Sequence, residues 1–139
     1  MSDIFDLERF ISAQAGIYPR VILELRAGRK QSHWMWFIFP QVAGLGFSAM
    51  AQKYAIGSRA EALAYLDHPV LGSRLRECTQ LVNAVEGRDI HEILGSPDDM
   101  KFRSSMTLFA NVAHDNTDFV AALQKYYEGE FDAATIARL

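Results

Sequence analysis

Apolar residues recur along most of this chain at helical spacing. Val70, Leu71, Leu75, Cys78, Leu81, Val82 and Val85 mark one face of a helix that His68-Pro69 opens and Gly87 stops. Phe102, Met106, Phe109 and Ala113 form a stripe on another. That helix has a strong start in Ser96-Pro97-Asp98-Asp99: Ser96 as cap, Pro97 in the first position, and two carboxylates at the positive end of the helix dipole. Ser58-Arg59-Ala60-Glu61 reads as a capping box for a helix through about Leu66. Asp6 is placed to cap a first helix to about Ala15, closed by Gly16. Tyr18-Pro19 opens a second, with Val21, Ile22 and Leu25 inward and Gly28 at its end. Asp89 to Leu94 is a short helix ended by Gly95. Thr117 is placed to cap a helix through about Glu128, with Phe119, Leu123 and Tyr126 inward, and Asp132 to cap a short terminal one carrying Ile136 and Leu139.

No segment alternates as a strand does. The run Trp34-Met35-Trp36-Phe37-Ile38-Phe39 is not assigned by periodicity alone. It reads as a short buried helix, because nothing nearby would pair with it as a sheet. With no repeat, linker or low-complexity stretch, the expected fold is all-α: a single compact multihelical domain of about eight helices over residues 1–139.

Composition narrows the function classes. Half the residues are apolar and 22% are charged, enough for a true core. The net charge is -3, too balanced for a disordered tail and too acidic for a general nucleic-acid binder. The longest apolar run, Trp34 to Pro40, falls far short of the ~20 residues of a membrane helix. The N-terminus lacks a signal-peptide pattern, and the lone Cys78 points to a reducing cytoplasm. Neither a nucleic acid nor a membrane is expected as partner. Charge is uneven: residues 1–85 carry 9 basic and 7 acidic side chains, residues 86–139 carry 5 and 10.

Two segments are candidates for chemistry. In the first, Ser32, His33 and Gln41 flank the aromatic run, the usual make-up of a small-molecule pocket; the alternative makes the run plain core. In the second, Lys101-Phe102-Arg103-Ser104-Ser105-Met106-Thr107, two cations and three hydroxyls near a helix N-terminus suit an anion. Against this, Asp99 lies four residues before Arg103, the spacing of an ion pair. The four histidines lack metal-ligand spacing, so no metal is expected, and no cofactor motif is present: Gly44-Leu45-Gly46 lacks the preceding strand and third glycine of a dinucleotide fingerprint. Cys78, on an apolar stripe, reads as an inert buried thiol.

Together these segments resemble a known family. Phe5-Asp6-Leu7-Glu8-Arg9-Phe10, Ser32 to Gln41, Gly44-Leu45-Gly46, His68 to Gly72, Gly95 to Asp99 and Lys101 to Phe109 are similar to motifs of a bacterial domain-of-unknown-function family, number eighteen-ten, sometimes mislabelled calpastatin. The resemblance implies a helical, single-domain, cytoplasmic protein and carries no activity or catalytic residue with it. A helical family that processes ADP-ribose linkages has a loosely similar motif mix, a weaker alternative at the level of fold class.

The leading expectation is a pocket joining the aromatic helix to the Lys101–Thr107 helix and taking a small anionic or nucleotide-like metabolite. Trp34, Trp36 or Tyr54 would stack the ligand, Lys101 and Arg103 would hold its charge, and Gln41, Ser104 and Ser105 would orient it. Were the protein an enzyme, His33 is the candidate general base. The alternative is a non-enzymatic interaction module docking a partner on an apolar surface.

Overall fold

The computed structural model describes residues 3–139 and contains ten helices among them. They are α1 (Glu8–Gln14), α2 (Tyr18–Arg26), α3 (Met35–Ile38), α4 (Ala49–Lys53), α5 (Arg59–Asp67), α6 (Leu71–Ala84), α7 (Ile90–Leu94), α8 (Asp98–Val112), α9 (Thr117–Tyr127) and α10 (Ala133–Ile136). The all-α expectation holds, and the count of about eight is corrected to ten. The helix without a sequence assignment is α4. Ser48 caps it by accepting from the Ala51 amide, but none of its residues is buried, so it leaves no apolar stripe to read.

The two longest helices, α6 and α8, organise the domain. Helix α9 packs on both, as does α5, while α2 leans on α6, and α7 and α10 on α8. Gly72 sits at the α5–α6 corner, where a Cβ would lie 1.9 Å from the Leu66 carbonyl oxygen. Aromatic pairs run through the core: Phe10 meets Tyr65 edge-on at 5.0 Å, Tyr65 meets Phe109 at 5.7 Å, and Phe109 meets Phe119 at 5.8 Å. Each such pair adds about 0.5–1.5 kcal/mol beyond the area it buries.

The aromatic run is the short buried helix expected. Trp34, Phe37 and Phe39 are buried, and Phe39 docks edge-on against Phe102 of α8 at 4.8 Å. After it the chain makes a single parallel bridge between Val42 and Ile56. Amides of Ala43 and Ile56 bond carbonyls of Ile56 and Gln41, both at 2.8 Å. This tie closes the 43–56 loop and sets Gln41 beside Tyr54 and Ala55.

Several helix starts differ from the sequence reading, each because another group reaches the free amides first. Asp6 is not the cap of α1; it adopts a positive φ, and the Asp3 carboxylate instead accepts from the Leu7 and Glu8 amides at 2.8 and 2.9 Å. Ser96 does not cap α8, whose cap position is Pro97. There the Asp99 amide bonds the Gly95 carbonyl and the Met100 amide bonds the Asp99 carboxylate. Thr117 is the first residue of α9 rather than its cap, held by Asp115 through its amide and hydroxyl. Helix α6 ends at Ala84, before Gly87, and Lys125 donates to the terminal carbonyls of Asn83 and Val85. Ser58 and Asp132 cap as expected, and Asp89 caps α7 in a full capping box with Glu92. Glu61 completes no box with Ser58; it turns to the Gly57 amide and to Arg9. No described helix is long and apolar enough to cross a membrane.

Candidate functional site

The start of α8 meets the aromatic segment at two adjoining cavities. One, of about 130 Å³, is lined by Trp36, Gln41, the Gly44–Gly46 loop, Tyr54 and Lys101, among others. The other, of about 280 Å³, is lined by Lys30, His33, Trp36, Ser96, Asp98 and Lys101, among others. Trp36 and Lys101 border both. The Lys101 ammonium lies over the Trp36 ring, 5.0 Å from its centroid.

Three anchors hold these walls. Glu24 of α2 is a buried carboxylate that accepts from the Gln31 amide at 2.8 Å, the Ser32 amide at 3.0 Å, the Ser32 hydroxyl at 2.6 Å and the Trp34 indole at 3.0 Å. It thereby shapes the turn that carries His33 to the second cavity. Burial pushes its pKa up, but the four bonds to the ionised form outweigh that and bring it down to about 2. Arg9 holds the opposite wall. Its guanidinium donates to the Lys53 and Ala55 carbonyls at 2.7 and 2.9 Å and to the Glu61 carboxylate at 2.7 Å, bracketing Tyr54. The third anchor is Arg138, which donates to the Gly44 carbonyl at 3.2 Å. Gly44 has a φ of 96°, and a Cβ there would stand 2.7 Å from the Arg138 Nε.

The charges of the site are unequal in their commitments. Asp98 pairs closely with Lys30, at 2.8 Å between carboxylate and ammonium, and the lysine side chain is only 8% exposed. Lys101 stands 3.8 Å from the other carboxylate oxygen, beyond hydrogen-bonding distance. Two cations thus share one carboxylate, and Lys101 is the one with charge to spare. The first cavity is lined by no acidic side chain. Its polar groups besides Lys101 are neutral: the Gln41 carboxamide and Tyr54 hydroxyl bond no described residue, and neither do the amides of Gly44, Leu45 and Gly46.

The expected site residues therefore divide. Lys101, Gln41 and Tyr54 converge on the first cavity, and His33 lies across Lys101 on the rim of the second. Trp34 is not a stacking surface; it is fully buried with its indole on Glu24, and the half-buried Trp36 forms the cavity wall. Arg103 is neither in the cleft nor paired with Asp99. It faces the C-terminal segment, donating to the Glu130 and Phe131 carbonyls, both at 3.1 Å. Asp99 approaches His91 instead, at 3.4 Å. Ser104 donates to Asp132 at 2.9 Å, and Ser105 is buried without a hydrogen-bond partner. The Lys101–Thr107 motif thus serves two faces of α8: Lys101 the cleft, and Arg103, Ser104 and Thr107 the anchorage of residues 130–135.

Lys30, Glu24 and Arg9 had no assigned role in the sequence reading, and Asp98 only that of a charge at the start of α8. The one available signal was the position of Lys30 beside the aromatic run. Cys78 is buried beside the Tyr18 hydroxyl, and burial pushes its thiol up to about 12, in line with an inert role. His68 accepts from the Val70 and Leu71 amides as a turn residue. No group of three His, Cys, Asp or Glu among the described residues is arranged to hold a metal ion.

A family model described as "Protein of unknown function (DUF1810)" matches residues 4–139. Among solved structures, the crystal structure of the conserved hypothetical protein Rv1873 from Mycobacterium tuberculosis is similar, with 60% identity and a TM-score of 0.97. The match covers 99% of this chain and 98% of that one. No curated protein matches.

Proposed function

The chain belongs to the DUF1810 family, and from that premise we propose that it binds a small anionic metabolite in the cleft between the aromatic segment and the start of α8. One observation carries this reading. Among the described residues, the only charged side chain lining the first cavity is Lys101, and its nearest carboxylate is already held more closely by Lys30. An anion entering there meets the half-buried Lys101 ammonium, the Gln41 and Tyr54 side chains, and the Gly44–Gly46 loop, whose amides bond no described residue. A hydrogen bond to a charged group contributes about 1.5–3 kcal/mol, so a few such contacts suffice for a metabolite-scale affinity. Trp36 supplies the apolar wall that such pockets use to exclude water. His33 hydrogen-bonds no described residue, and its role in this reading is that of a rim group.

The test is a thermal-shift screen of the protein against inorganic phosphate and panels of small organic phosphates and carboxylates. Ligand at 100 times its dissociation constant adds about 2.7 kcal/mol, a rise of roughly 8 °C for a domain of this size. Lys101→Met should abolish the shift and leave the unliganded melting temperature within about 2 °C of the parent. A shift that survives Lys101→Met refutes the reading.

Phe47 favours a second reading, a docking surface. It is 83% exposed on the loop that closes the first cavity, with Met50 one turn beyond. A partner engaging that rim would lose affinity in Phe47→Ser, whereas an anion bound at Lys101 would not.

A further inference from the structure

Resting on the anion reading of Lys101, we infer that the ligand has a second, uncharged end bearing hydroxyl groups: it is a small polyhydroxylated molecule carrying one phosphate or carboxylate, and it spans both cavities.

Two side chains, Lys101 and Trp36, border both cavities. Lys101 lies across Trp36 on a flexible four-carbon stem, so its movement toward an anion joins the two spaces along the indole. The same movement changes the second cavity. Asp98 keeps Lys30 on one carboxylate oxygen at 2.8 Å, while the other oxygen, now 3.8 Å from Lys101, loses its second cation. An ionised carboxylate oxygen so released is a strong acceptor for a ligand hydroxyl.

The remaining walls of the second cavity fit the same chemistry. His33 and Ser96 line it, and neither side chain hydrogen-bonds a described residue. Each offers a donor and an acceptor, which is what a vicinal pair of hydroxyls needs. Charge excludes the alternatives. With Lys101 committed to the anion, Lys30 and Asp98 cancel, and the cavity is neutral. A second anionic group would face the freed Asp98 oxygen, and a cationic one the Lys30 ammonium. A neutral hydroxylated end meets neither penalty and lies along the Trp36 ring edge. The unequal volumes agree: about 130 Å³ at the anion end and about 280 Å³ at the neutral end.

Isothermal titration of the full chain tests this with inorganic phosphate, glucose 6-phosphate, gluconate and glucose. At least one of the two polyol anions should bind about tenfold or more tightly than inorganic phosphate, the gain of one or two added hydrogen bonds, while neutral glucose shows no heat. Whether glucose 6-phosphate or gluconate binds better identifies the anionic group. The double variant His33→Ala, Ser96→Ala alters exposed side chains and should fold; it should remove the gain and leave the affinity for inorganic phosphate unchanged. Phosphate binding that depends on Lys101, with no gain from either polyol anion or a gain intact in the double variant, overturns this inference and spares the anion reading. Absence of any binding that depends on Lys101 overturns both.

Discussion

Replacing Glu24 with Gln tests how the cleft's first wall is built. The Glu24 carboxylate lies among four donors on Gln31, Ser32 and Trp34, with the Arg20 guanidinium at 3.2 Å on its exposed side. Its pKa falls from 4.5 to about 2. At about 1.4 kcal/mol per pH unit, that difference corresponds to about 3 kcal/mol favouring the ionised form in the folded protein. Arg20 is mostly solvent-exposed, so its share is screened and about 2–3 kcal/mol is the working figure. Because the folded-state value is depressed, this stability is complete above pH 5, declines as pH falls below 4.5, and is gone near pH 2. Glu24→Gln keeps the shape but turns an N–H₂ group toward donors. It should lower stability by about 2–3 kcal/mol at pH 7, keep roughly 40% of that gap at pH 3, and converge with the parent only near pH 2. Urea unfolding of both proteins at pH 7, 5, 4 and 3 measures the difference, which cancels the other carboxylates. Parallel curves, with a constant gap across that range, would refute the hub.

The remaining predictions concern α8 and the corner before α6. Ser96→Ala should shift stability by less than about 0.5 kcal/mol in denaturant unfolding, because the Ser96 hydroxyl bonds no described residue and the helix starts without it. Arg103→Ala should cost about 1–2 kcal/mol and lose amide-exchange protection over residues 130–136, while anion binding at Lys101 is unchanged. Equal weakening of anion binding would place Arg103 in the cleft after all. Gly72→Ala should destabilise by about 3 kcal/mol or more, read as a fall in melting temperature, since its Cβ would be driven against the Leu66 carbonyl oxygen 1.9 Å away. An unchanged melting temperature would mean that the α5–α6 corner opens at little cost.

Helix α8 links these effects. Its start carries Asp98 and Lys101 toward the cleft, its middle carries Phe102 and Phe109 into the core, and its remaining polar face binds the C-terminal segment. Arg138, beyond α10, then returns to the Gly44 carbonyl at the cleft. The C-terminal segment is therefore anchored at one end on α8 and at the other on the cavity loop.

Much of the helical pattern was legible in the sequence, because burial and capping are written locally. The stripe from Phe102 to Phe109, the Asp132 cap and the Gly95 stop depend on residues within a turn or two of each other, so spacing alone reveals them. Helix α4 was invisible for the same reason: apolar spacing reports only what a helix buries, and α4 buries nothing. The site was legible as a pair of segments, aromatic run and α8 start, but not as a set of side chains. An α-helix turns about 100° per residue, so Lys101 and Arg103 point to different neighbours, and only packing decides that one meets Trp36 and the other Glu130. Likewise Lys30 and Asp98, far apart in the chain, pair because the fold brings a buried ammonium to the nearest carboxylate. Charges and hydrogen-bond donors choose partners by distance in space, and that distance exists only once the core has closed.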